Sequence, residues 1–383
     1  MTSDHVLINS RNYQICSRCI MDTSASDIQF DSSGVCNYCR EYFEHIDNFM
    51  RQHPDQQKAL NELAQKIKNA GRRKEYDCIV GVSGGLDSSY VIYVVKKLGL
   101  KPLAIHLDNG WNSELAVSNI ERLCKNLNVD LFTHVIDWEE FKDLQIAFFK
   151  AGVVDIELLS DHAISAILYK IAFRHGIKYI IAGTNMANEG IKIPPSWSHF
   201  KKDLLNLQFI CKKFSSNKEL KTFPTMGLIQ FLFYRYLCRI HWVSILDHME
   251  FQKNEAIQIL TKEVGWRPYE KKHYESIFTR FYQGYILPVK FHIDKRRLHY
   301  STLICSNQMT RAEALSLMQK STYDDQHLLE EDKIYVLKKL GIDIKQFEEY
   351  LQAPSVPHSA YPSEEKFLEI LVGIRKFFKK LIR

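Results

Sequence analysis

The sequence predicts an α/β protein in which a doubly wound parallel sheet lies between a cysteine-rich module and a helical C-terminal region. Three observations lead to this fold class. Short apolar runs alternate with helical stretches between residues 76 and 185, two Cys-x-x-Cys pairs precede that region, and the residues after 200 read as helices. With 383 residues the chain is long enough for two or three domains.

The composition is that of a soluble globular protein, with 45% hydrophobic and 25% charged residues. The net charge of +6 is compatible with nucleotides, nucleotide-sugars or RNA and does not decide between them. The N-terminal residues carry no apolar signal core, and paired cysteines without an export signal favour metal binding in a reducing compartment. We therefore expect a cytoplasmic protein without a membrane span.

Residues 1–50 predict a zinc-ribbon-like module. Its four cysteines are Cys16, Cys19, Cys36 and Cys39, and sixteen residues separate the two pairs. Each pair can place two thiolates on one face of a turn, and four thiolates make a tetrahedral site with no open position, which indicates a structural zinc. The segment between the pairs is polar, so a metal is expected to be its main source of order. A redox pair or an iron–sulfur cluster is the alternative.

Residues 51–75 predict a helix that links the module to the sheet, with Leu60, Leu63, Ala64 and Ile67 on one face. Strands are predicted at 78–82, 102–108, 131–137 and 178–183. Helices are predicted at 86–98, 113–127, 139–150 and 160–175. Ligands of such sheets bind beyond the carboxyl ends of the strands, so polar residues at these ends are candidate site residues.

The first strand runs into a Gly-rich turn within the stretch Tyr76–Ser89, which reads YDCIVGVSGGLDSS. Backbone N–H groups and the positive end of the following helix point at one spot there, which suits a phosphate or pyrophosphate. The candidate ligands are Ser83, Gly84, Gly85, Asp87, Ser88 and Ser89, with Asp87 able to hold magnesium. SGG-x-DSS after a strand resembles the PP-loop of the ATP pyrophosphatases, which split ATP into AMP and pyrophosphate to adenylate a substrate oxygen. The alternative is an ordinary Gly-Ser turn.

Two further strand ends carry polar residues. His106 and Asp108 end the second strand, and Gly183, Thr184 and Asn185 follow the fourth. In the family that the PP-loop resembles, the corresponding turns help to hold the adenosine and lie near the nucleotide. The alternative is that these side chains only cap loops and helices.

The run 223–251 is unusually apolar and aromatic, but Arg235, Arg239, His241 and Asp247 interrupt it. A spanning helix would have to bury these residues at a cost of several kcal/mol each. We therefore interpret the run as a buried pair of helices. A docking surface for a partner protein and membrane association are the alternatives.

Charged residues mixed with aromatic ones between 266 and 297 predict a site wall. Lys272, Glu275 and Arg280 lie at helical spacings, and Asp294, Lys295 and Arg296 lie where a helix is expected to begin. Cations there can stabilise a departing pyrophosphate and the charge on the α-phosphate. Glu275 or Asp294 could hold magnesium or orient a cation. A solvated charged face is the alternative.

The order of motifs along nearly the whole chain resembles one PP-loop branch, the N-acetyl sugar amidotransferases of bacterial surface-polysaccharide biosynthesis. These motifs are the two Cys-x-x-Cys pairs, SGGLDSS, GTN, and the segment KHYESIFTRFYQ followed by DKRR. The resemblance implies four parts. They are a zinc module (1–50), a linker helix (51–75), a PP-loop nucleotide-binding domain (76–200) and a helical region for substrate or partner (201–383).

The resemblance also implies a reaction. ATP, with Mg²⁺, adenylates the acetamido group of a sugar or nucleotide-sugar, and ammonia then replaces AMP to give an acetamidine of the kind found in O-antigen and nonulosonic acids. Asp87, Lys272, Glu275, Arg280, Asp294, Lys295 and Arg296 would act in catalysis.

Ammonia would come from a separate glutamine amidotransferase, with or without a barrel-type cyclase-like partner, since the chain shows no glutaminase module of its own. No nucleic acid is expected. The alternative function is a PP-loop tRNA-thiolating enzyme, which the zinc module and basic charge also fit. The scattered cysteines after Cys39 speak against it, because none pairs beside the nucleotide site.

Overall fold

A computed structural model describes residues 12–269, 274–323, 325–370 and 373. Its centre is a parallel sheet of five strands in the order β3-β2-β1-β4-β5. The strands are β1 (Cys78–Gly81), β2 (Pro102–Asp108), β3 (Asp130–Val135), β4 (Tyr179–Ala182) and β5 (His241–Ser244). The chain runs from β1 through β2 to β3 on one side and then crosses over to β4 on the other side of β1, which opens a crevice between the carboxyl ends of β1 and β4.

Helices cover the sheet and build the C-terminal region. They are α1 (Asn37–Gln52), α2 (Gln56–Gly71), α3 (Leu86–Lys97), α4 (Glu114–Leu127), α5 (Trp138–Ala151), α6 (Leu158–Arg174), α7 (Met186–Glu189), α8 (Leu204–Phe214), α9 (Leu228–Leu232), α10 (Lys253–Val264), α11 (Ile277–Phe281), α12 (Leu287–Phe291), α13 (Arg296–Cys305), α14 (Arg311–Met318), α15 (Gln326–Leu340) and α16 (Ile344–Gln352). Short π-helices follow α9 (Phe233–Leu237) and α11 (Tyr282–Ile286), and 3-10 turns lie at Ile245–His248 and His358–Ala360.

The predicted alternation of strands and helices is confirmed, with element ends shifted by no more than two residues. Successive side chains of a strand point to opposite faces of the sheet. In β1, Ile79 joins the buried cluster that contains α5 and α6. Its neighbour Val80 joins the cluster that contains α3, α4 and α10. The sheet is therefore doubly wound, and both of its faces are covered.

The interpretation of residues 223–251 as a buried pair of helices was wrong. The segment forms α9, a π-helix, the edge strand β5 and a 3-10 turn. β5 extends the sheet beyond residue 200, with Val243 opposite Ile181 of β4. Much of the apolar surface is open, since Ile229 and Leu237 are 77% and 74% exposed. Among the described residues, no helix combines the length and the apolar character that a bilayer span requires.

The cysteine module packs on the C-terminal helices. The Ile20 N–H donates to Ser301 Oγ of α13 at 3.2 Å. The Arg311 guanidinium donates to the carbonyl oxygens of Cys19 and Cys16, each at 3.0 Å. The polar segment between the cysteine pairs therefore has a second source of order besides a metal. Through these contacts α13 and α14 connect the module to the body of the protein.

Candidate functional site

The turn after β1 has a backbone that requires glycine. Gly84 has φ +82°, and a Cβ at this position would lie 2.6 Å from the carbonyl oxygen of Ala116. Gly85 is the N-cap of α3, and among the described residues no side chain caps this helix end. The N-terminal amides of α3 therefore remain available to an anion.

Serine hydroxyls hold the turn in shape. Ser88 Oγ accepts from the Ser83 N–H at 3.2 Å and lies 3.2 Å from Ser83 Oγ. Ser83 Oγ in turn accepts from the Gly85 N–H at 3.3 Å. Ser89 is fully buried, and its Oγ has no hydrogen-bond partner among the described residues. Ser83 and Ser88 thus tie the two ends of the turn together.

Two aromatic side chains fix the carbonyl of the central glycine. Trp266 Nε1–H donates to the oxygen of Gly84 at 3.0 Å, and the Tyr269 hydroxyl donates to the same atom at 3.1 Å. Burial raises the pKa of the Tyr269 hydroxyl above its ordinary value, so it remains a donor at neutral pH. Both residues come from the segment after α10 that the sequence predicts as a site wall.

A cavity of about 250 Å³ lies directly on this turn. It is lined by Ser83, Gly85, Leu86, Asp87, Ser88, Gly183, Asn188, Glu189, Lys253, Ile257, Trp266, Tyr269, Glu275, His299 and Leu303. The structure thus brings six of the predicted site residues to one cavity, namely Ser83, Gly85, Asp87, Ser88, Gly183 and Glu275. Gly183 allows the close approach, because a Cβ there would lie 3.0 Å from the Ser88 nitrogen.

Asn188 of α7 holds the predicted magnesium ligand. Its Nδ2 donates to Asp87 Oδ1 at 2.9 Å, and its backbone N–H donates to Asn185 Oδ1 at 2.8 Å. Asn188 is 8% exposed, and among the described residues its Oδ1 has no hydrogen-bond partner. A buried, unsatisfied oxygen beside a carboxylate matches the all-oxygen coordination of magnesium. The residues present therefore fit a Mg²⁺–nucleotide ligand.

Four cavity residues carry polar groups that the sequence did not reveal: Asn188, Glu189, Lys253 and His299. Asn188 and Glu189 follow the predicted Gly-Thr-Asn turn by a few residues, so their place after a strand end was an available signal. Lys253 begins α10 and His299 lies on α13. No local pattern separates these two from other surface cations and histidines.

Four of the predicted nucleotide ligands hold neighbouring loops. His106 Nδ1 lies 3.0 Å from the Val82 oxygen. Asp108 Oδ1 accepts from the Gly110 N–H at 2.9 Å. Thr184 Oγ1 lies 3.0 Å from Ser244 Oγ. Asn185 caps α7. None of the four lines the cavity that the described residues form.

The predicted arginines are held by carboxylates. Arg280 makes a bidentate ion pair with Asp332, with both hydrogen bonds at 2.6 Å. Arg296 pairs with Asp294 at 2.7 Å and also donates to carbonyl oxygens after α14. Neither arginine lines the described cavity. These pairs fix the C-terminal helices against one another.

Lys295 also lies in an ion pair, with its Nζ 3.1 Å from Glu157 Oε2. Gln283 donates to the same carboxylate oxygen at 2.8 Å. The pair sits just before α6 and is outside the cavity lining among the described residues. Lys272, the remaining predicted cation, lies outside the described residues.

The four N-terminal cysteines form one cluster. Cys16 Sγ lies 3.9 Å from Cys39 Sγ, and Cys19 Sγ lies 3.8 Å from Cys36 Sγ. All four sulfur atoms are buried and lie within 4.8 Å of one another. A tetrahedral site with Zn–S bonds of about 2.3 Å requires sulfur–sulfur distances of about 3.8 Å. The cluster therefore fits zinc.

The region that contains α11 to α16 matches a known family. Residues 275–376 match the family described as "LPS biosynthesis protein WbpG-like, C-terminal domain". Three residues of this range, Glu275, His299 and Leu303, line the cavity on the Gly-rich turn. The matched region therefore contributes to the same site as the turn after β1.

Among curated proteins, the tRNA(Ile)-lysidine synthase of Chlamydia pneumoniae is 33% identical over 73 residues. The match covers 18% of this chain and 22% of that enzyme's length. Similar solved structures include the NH₃-dependent NAD synthetase of Campylobacter jejuni subsp. jejuni NCTC 11168 in complex with nitrate. It has 21% identity and a TM-score of 0.28, over 35% of this chain and 58% of that one. The NMN synthetase of Francisella tularensis has 17% identity and a TM-score of 0.29, over 56% and 87%.

The SGGLDSS motif, the geometry of its turn and the family match all point to the same cavity. SGGLDSS follows the central strand of the parallel sheet, and its amides face a cavity that Asp87 and Asn188 also line. The matched C-terminal region forms part of the cavity's wall. Residues 275–376 therefore match the C-terminal domain of WbpG-like lipopolysaccharide biosynthesis proteins, and they meet, at one cavity, a turn that resembles the PP-loop of the ATP pyrophosphatases.

Proposed function

We propose that the protein is an ATP-dependent amidotransferase that converts the acetamido group of a sugar into an acetamidine in surface-polysaccharide biosynthesis. One observation carries the proposal. Residues of the WbpG-like region, Glu275, His299 and Leu303, line the same cavity as the Gly-rich turn after β1. A region typical of lipopolysaccharide biosynthesis proteins thus meets a site suited to ATP.

The turn would bind the β- and γ-phosphates of ATP. Backbone amides at the start of α3 and the hydroxyls of Ser83 and Ser88 supply donors. Asp87 and Asn188 would hold Mg²⁺, which neutralises phosphate charge when bound. Lys253 lines the cavity and would add a cation for the departing pyrophosphate. It takes the role that the sequence assigned to Lys295 and Arg296, neither of which lines the described cavity.

The reaction would proceed in two transfers. The acetamido oxygen attacks the α-phosphorus, the bond to the β-phosphate oxygen breaks, and pyrophosphate leaves with that electron pair. Ammonia then adds to the carbon of the O-adenylylated imidate, loses a proton, and expels AMP. An amide is a poor electrophile, and adenylation supplies the leaving group that the second transfer requires. Donors fixed around the phosphates would stabilise the charge that develops in the first transfer.

Ammonia would reach the imidate from a separate glutamine amidotransferase, and the acceptor would be an N-acetylated sugar or nucleotide-sugar. Both belong to the proposal and rest on the motif resemblance. Glu275 and His299 lie where the matched region meets the nucleotide cavity. They are the groups of this wall that we expect to face the acceptor.

The test uses purified protein with ATP, Mg²⁺, ammonium and a panel of mono- and di-N-acetylated nucleotide-sugars. We expect AMP and pyrophosphate in equal amounts, together with the mass decrease that replacement of oxygen by NH produces. The Ser83→Ala variant should lose AMP formation and keep the fold and the zinc content. Sugar-independent AMP formation on unmodified tRNA would contradict the proposal and support a tRNA-modifying enzyme.

A further inference from the structure

One surface of the protein presents large apolar side chains to solvent. It is formed by the end of α6, by α9 with its π-helix, and by the edge strand β5. Its members, here called the apolar face, are Phe173, Ile229, Phe233, Tyr236, Leu237 and Trp242. Ile229 and Leu237 protrude most, with 77% and 74% of their surface exposed. Monomeric proteins rarely leave such side chains in one group without a use for them.

Helical spacing and ring contacts make the face continuous. Ile229, Phe233 and Leu237 follow one another at intervals of four residues and therefore share one side of the α9–π-helix segment. The Phe233 ring lies 5.9 Å from that of Phe173. Tyr169 connects this group to β5, because its ring stacks 6.1 Å from that of Trp242.

The segments that build the face carry basic side chains and no acidic ones. Lys170, Arg174 and Arg239 are exposed beside it. The segments 162–188 and 220–246, which build the face, contain no aspartate or glutamate. Two more cations stabilise the turn between the π-helix and β5. Lys178 Nζ donates to the Cys238 oxygen at 2.7 Å, and Arg235 donates to the Ile240 oxygen at 3.2 Å.

Glu364, near the end of the described chain, contacts the first residue of α9. The Leu228 N–H at the beginning of α9 donates to Glu364 Oε2 at 3.4 Å. The sequence after residue 370 adds five cations and no acidic residue: Arg375, Lys376, Lys379, Lys380 and Arg383. The last residues of the sequence are therefore strongly basic.

We propose that the apolar face docks on the surface of a membrane that contains anionic phospholipid. Protruding aliphatic side chains can enter the boundary of the acyl chains, Tyr and Trp suit the headgroup level, and exposed Lys and Arg attract anionic headgroups. A protein partner would need acidic residues around a matching apolar pocket. An anionic bilayer supplies negative charge at its surface and an apolar region beneath it. It has no fixed shape, so side chains that protrude from the protein can insert into it. The proposal is independent of the reaction at the nucleotide cavity.

The test is vesicle flotation of the full chain. Vesicles of phosphatidylcholine alone are compared with vesicles of phosphatidylcholine and phosphatidylglycerol in equal amounts. We expect binding to the anionic vesicles only, and a decrease in bound fraction of roughly tenfold in the Ile229→Glu/Leu237→Glu double variant. The matched control is Val117→Glu/Val289→Glu, since both valines are about half exposed (52% and 45%) and lie on other elements. It should bind like the wild type, and thermal melting checks that both variants fold.

Three results would overturn the proposal. The wild type fails to bind anionic vesicles, or the double variant binds them as well as the wild type does. In a third case the wild type sediments as a dimer that the double variant dissociates, without any vesicle binding, which would make the face a contact between copies of this chain. A chain ending at residue 370 separates the face from the tail. Unchanged binding of this shortened chain supports the face, and complete loss assigns the binding to the tail instead.

Discussion

The indole N–H of Trp266 donates a hydrogen bond of 3.0 Å to the carbonyl oxygen of Gly84, the central residue of the Gly-rich turn after β1. That carbonyl and the N–H of Gly85 belong to one planar peptide unit and point in opposite directions. Fixing the carbonyl therefore also fixes the direction of the Gly85 N–H, which donates to Ser83 Oγ, a hydroxyl that we propose for phosphate binding. The segment after α10 thus sets the geometry of a loop that lies 182 residues earlier in the chain.

Replacing Trp266 with Phe keeps most of the buried ring and removes this donor. The lost hydrogen bond is worth about 1 kcal/mol, so we expect the KM for ATP to rise about threefold to tenfold with little change in melting temperature. Steady-state kinetics with varied ATP measures this. Trp242→Phe, on the sheet edge, is the control. An unchanged KM for ATP in Trp266→Phe would show that the turn keeps its geometry without the donor.

Asp87 and Asn188 should act together on magnesium. Asn188→Ala removes the donor to Asp87 and the buried oxygen that we propose as a ligand. We expect the Mg²⁺ concentration for half-maximal AMP formation to rise by roughly tenfold. Asp87→Ala should abolish AMP formation at any Mg²⁺ concentration. Thr184→Ala, on the neighbouring turn but outside the described cavity lining, serves as control. The assignment fails if Asn188→Ala has the Mg²⁺ dependence of the wild type.

The cysteine cluster should bind one zinc ion per chain. Cys39→Ser is expected to lose the metal and to lower the melting temperature, because binding of a structural zinc contributes to folding. Cys305→Ser is the informative control. Its Sγ lies 3.7 Å from Cys39 Sγ but outside the cluster of four. Metal analysis of both variants decides the ligand set. Loss of zinc in Cys305→Ser would show that the fifth thiol is a ligand.

The ion pair between Arg280 and Asp332 should stabilise the fold. Their side chains are 15% and 5% exposed, and Tyr323 also donates to Asp332 at 2.8 Å. Asp332→Ala leaves a buried guanidinium without its partner, so we expect a loss of about 3 kcal/mol or more in the free energy of unfolding. Urea denaturation measures it. In the Arg280→Met/Asp332→Leu variant much of this loss should be recovered. If Asp332→Ala kept the stability of the wild type but lost turnover, the pair would serve catalysis and not the fold.

The sequence predicted the half of the site that local patterns encode. Ser83 to Ser89 follow an apolar strand and open a helix, so the turn and the parallel sheet follow from adjacent residues, and the phosphate ligand stays a prediction. The roles of the cations depend on distant partners. Nothing near Lys295 reveals that Glu157 lies 3.1 Å away, across 138 residues of chain. Composition also does not show which apolar side chains are covered, so the run 223–251 was interpreted as buried although its Ile229 and Leu237 are exposed.

Asp247 should make the stability of the protein depend on pH. Its Oδ1 accepts from the Met186 N–H at 2.7 Å, at the start of α7. Burial raises its pKa to about 6, against the opposing effects of that hydrogen bond and of His45. A carboxyl whose pKa is higher in the folded state favours folding while it is protonated. The contribution is therefore complete below about pH 4 and is lost as the pH rises through about 6.

We expect Asp247→Asn, which stays neutral and keeps an acceptor oxygen, to be more stable than the wild type by roughly 2 kcal/mol above pH 7 and similar to it near pH 4. Urea denaturation at a series of pH values measures the difference. Asp137→Asn, which changes a helix N-cap elsewhere on the sheet's edge, is the control. If the wild type and Asp247→Asn keep a constant difference from pH 4 to pH 8, the carboxyl at 247 titrates at its ordinary value, and burial does not control this turn.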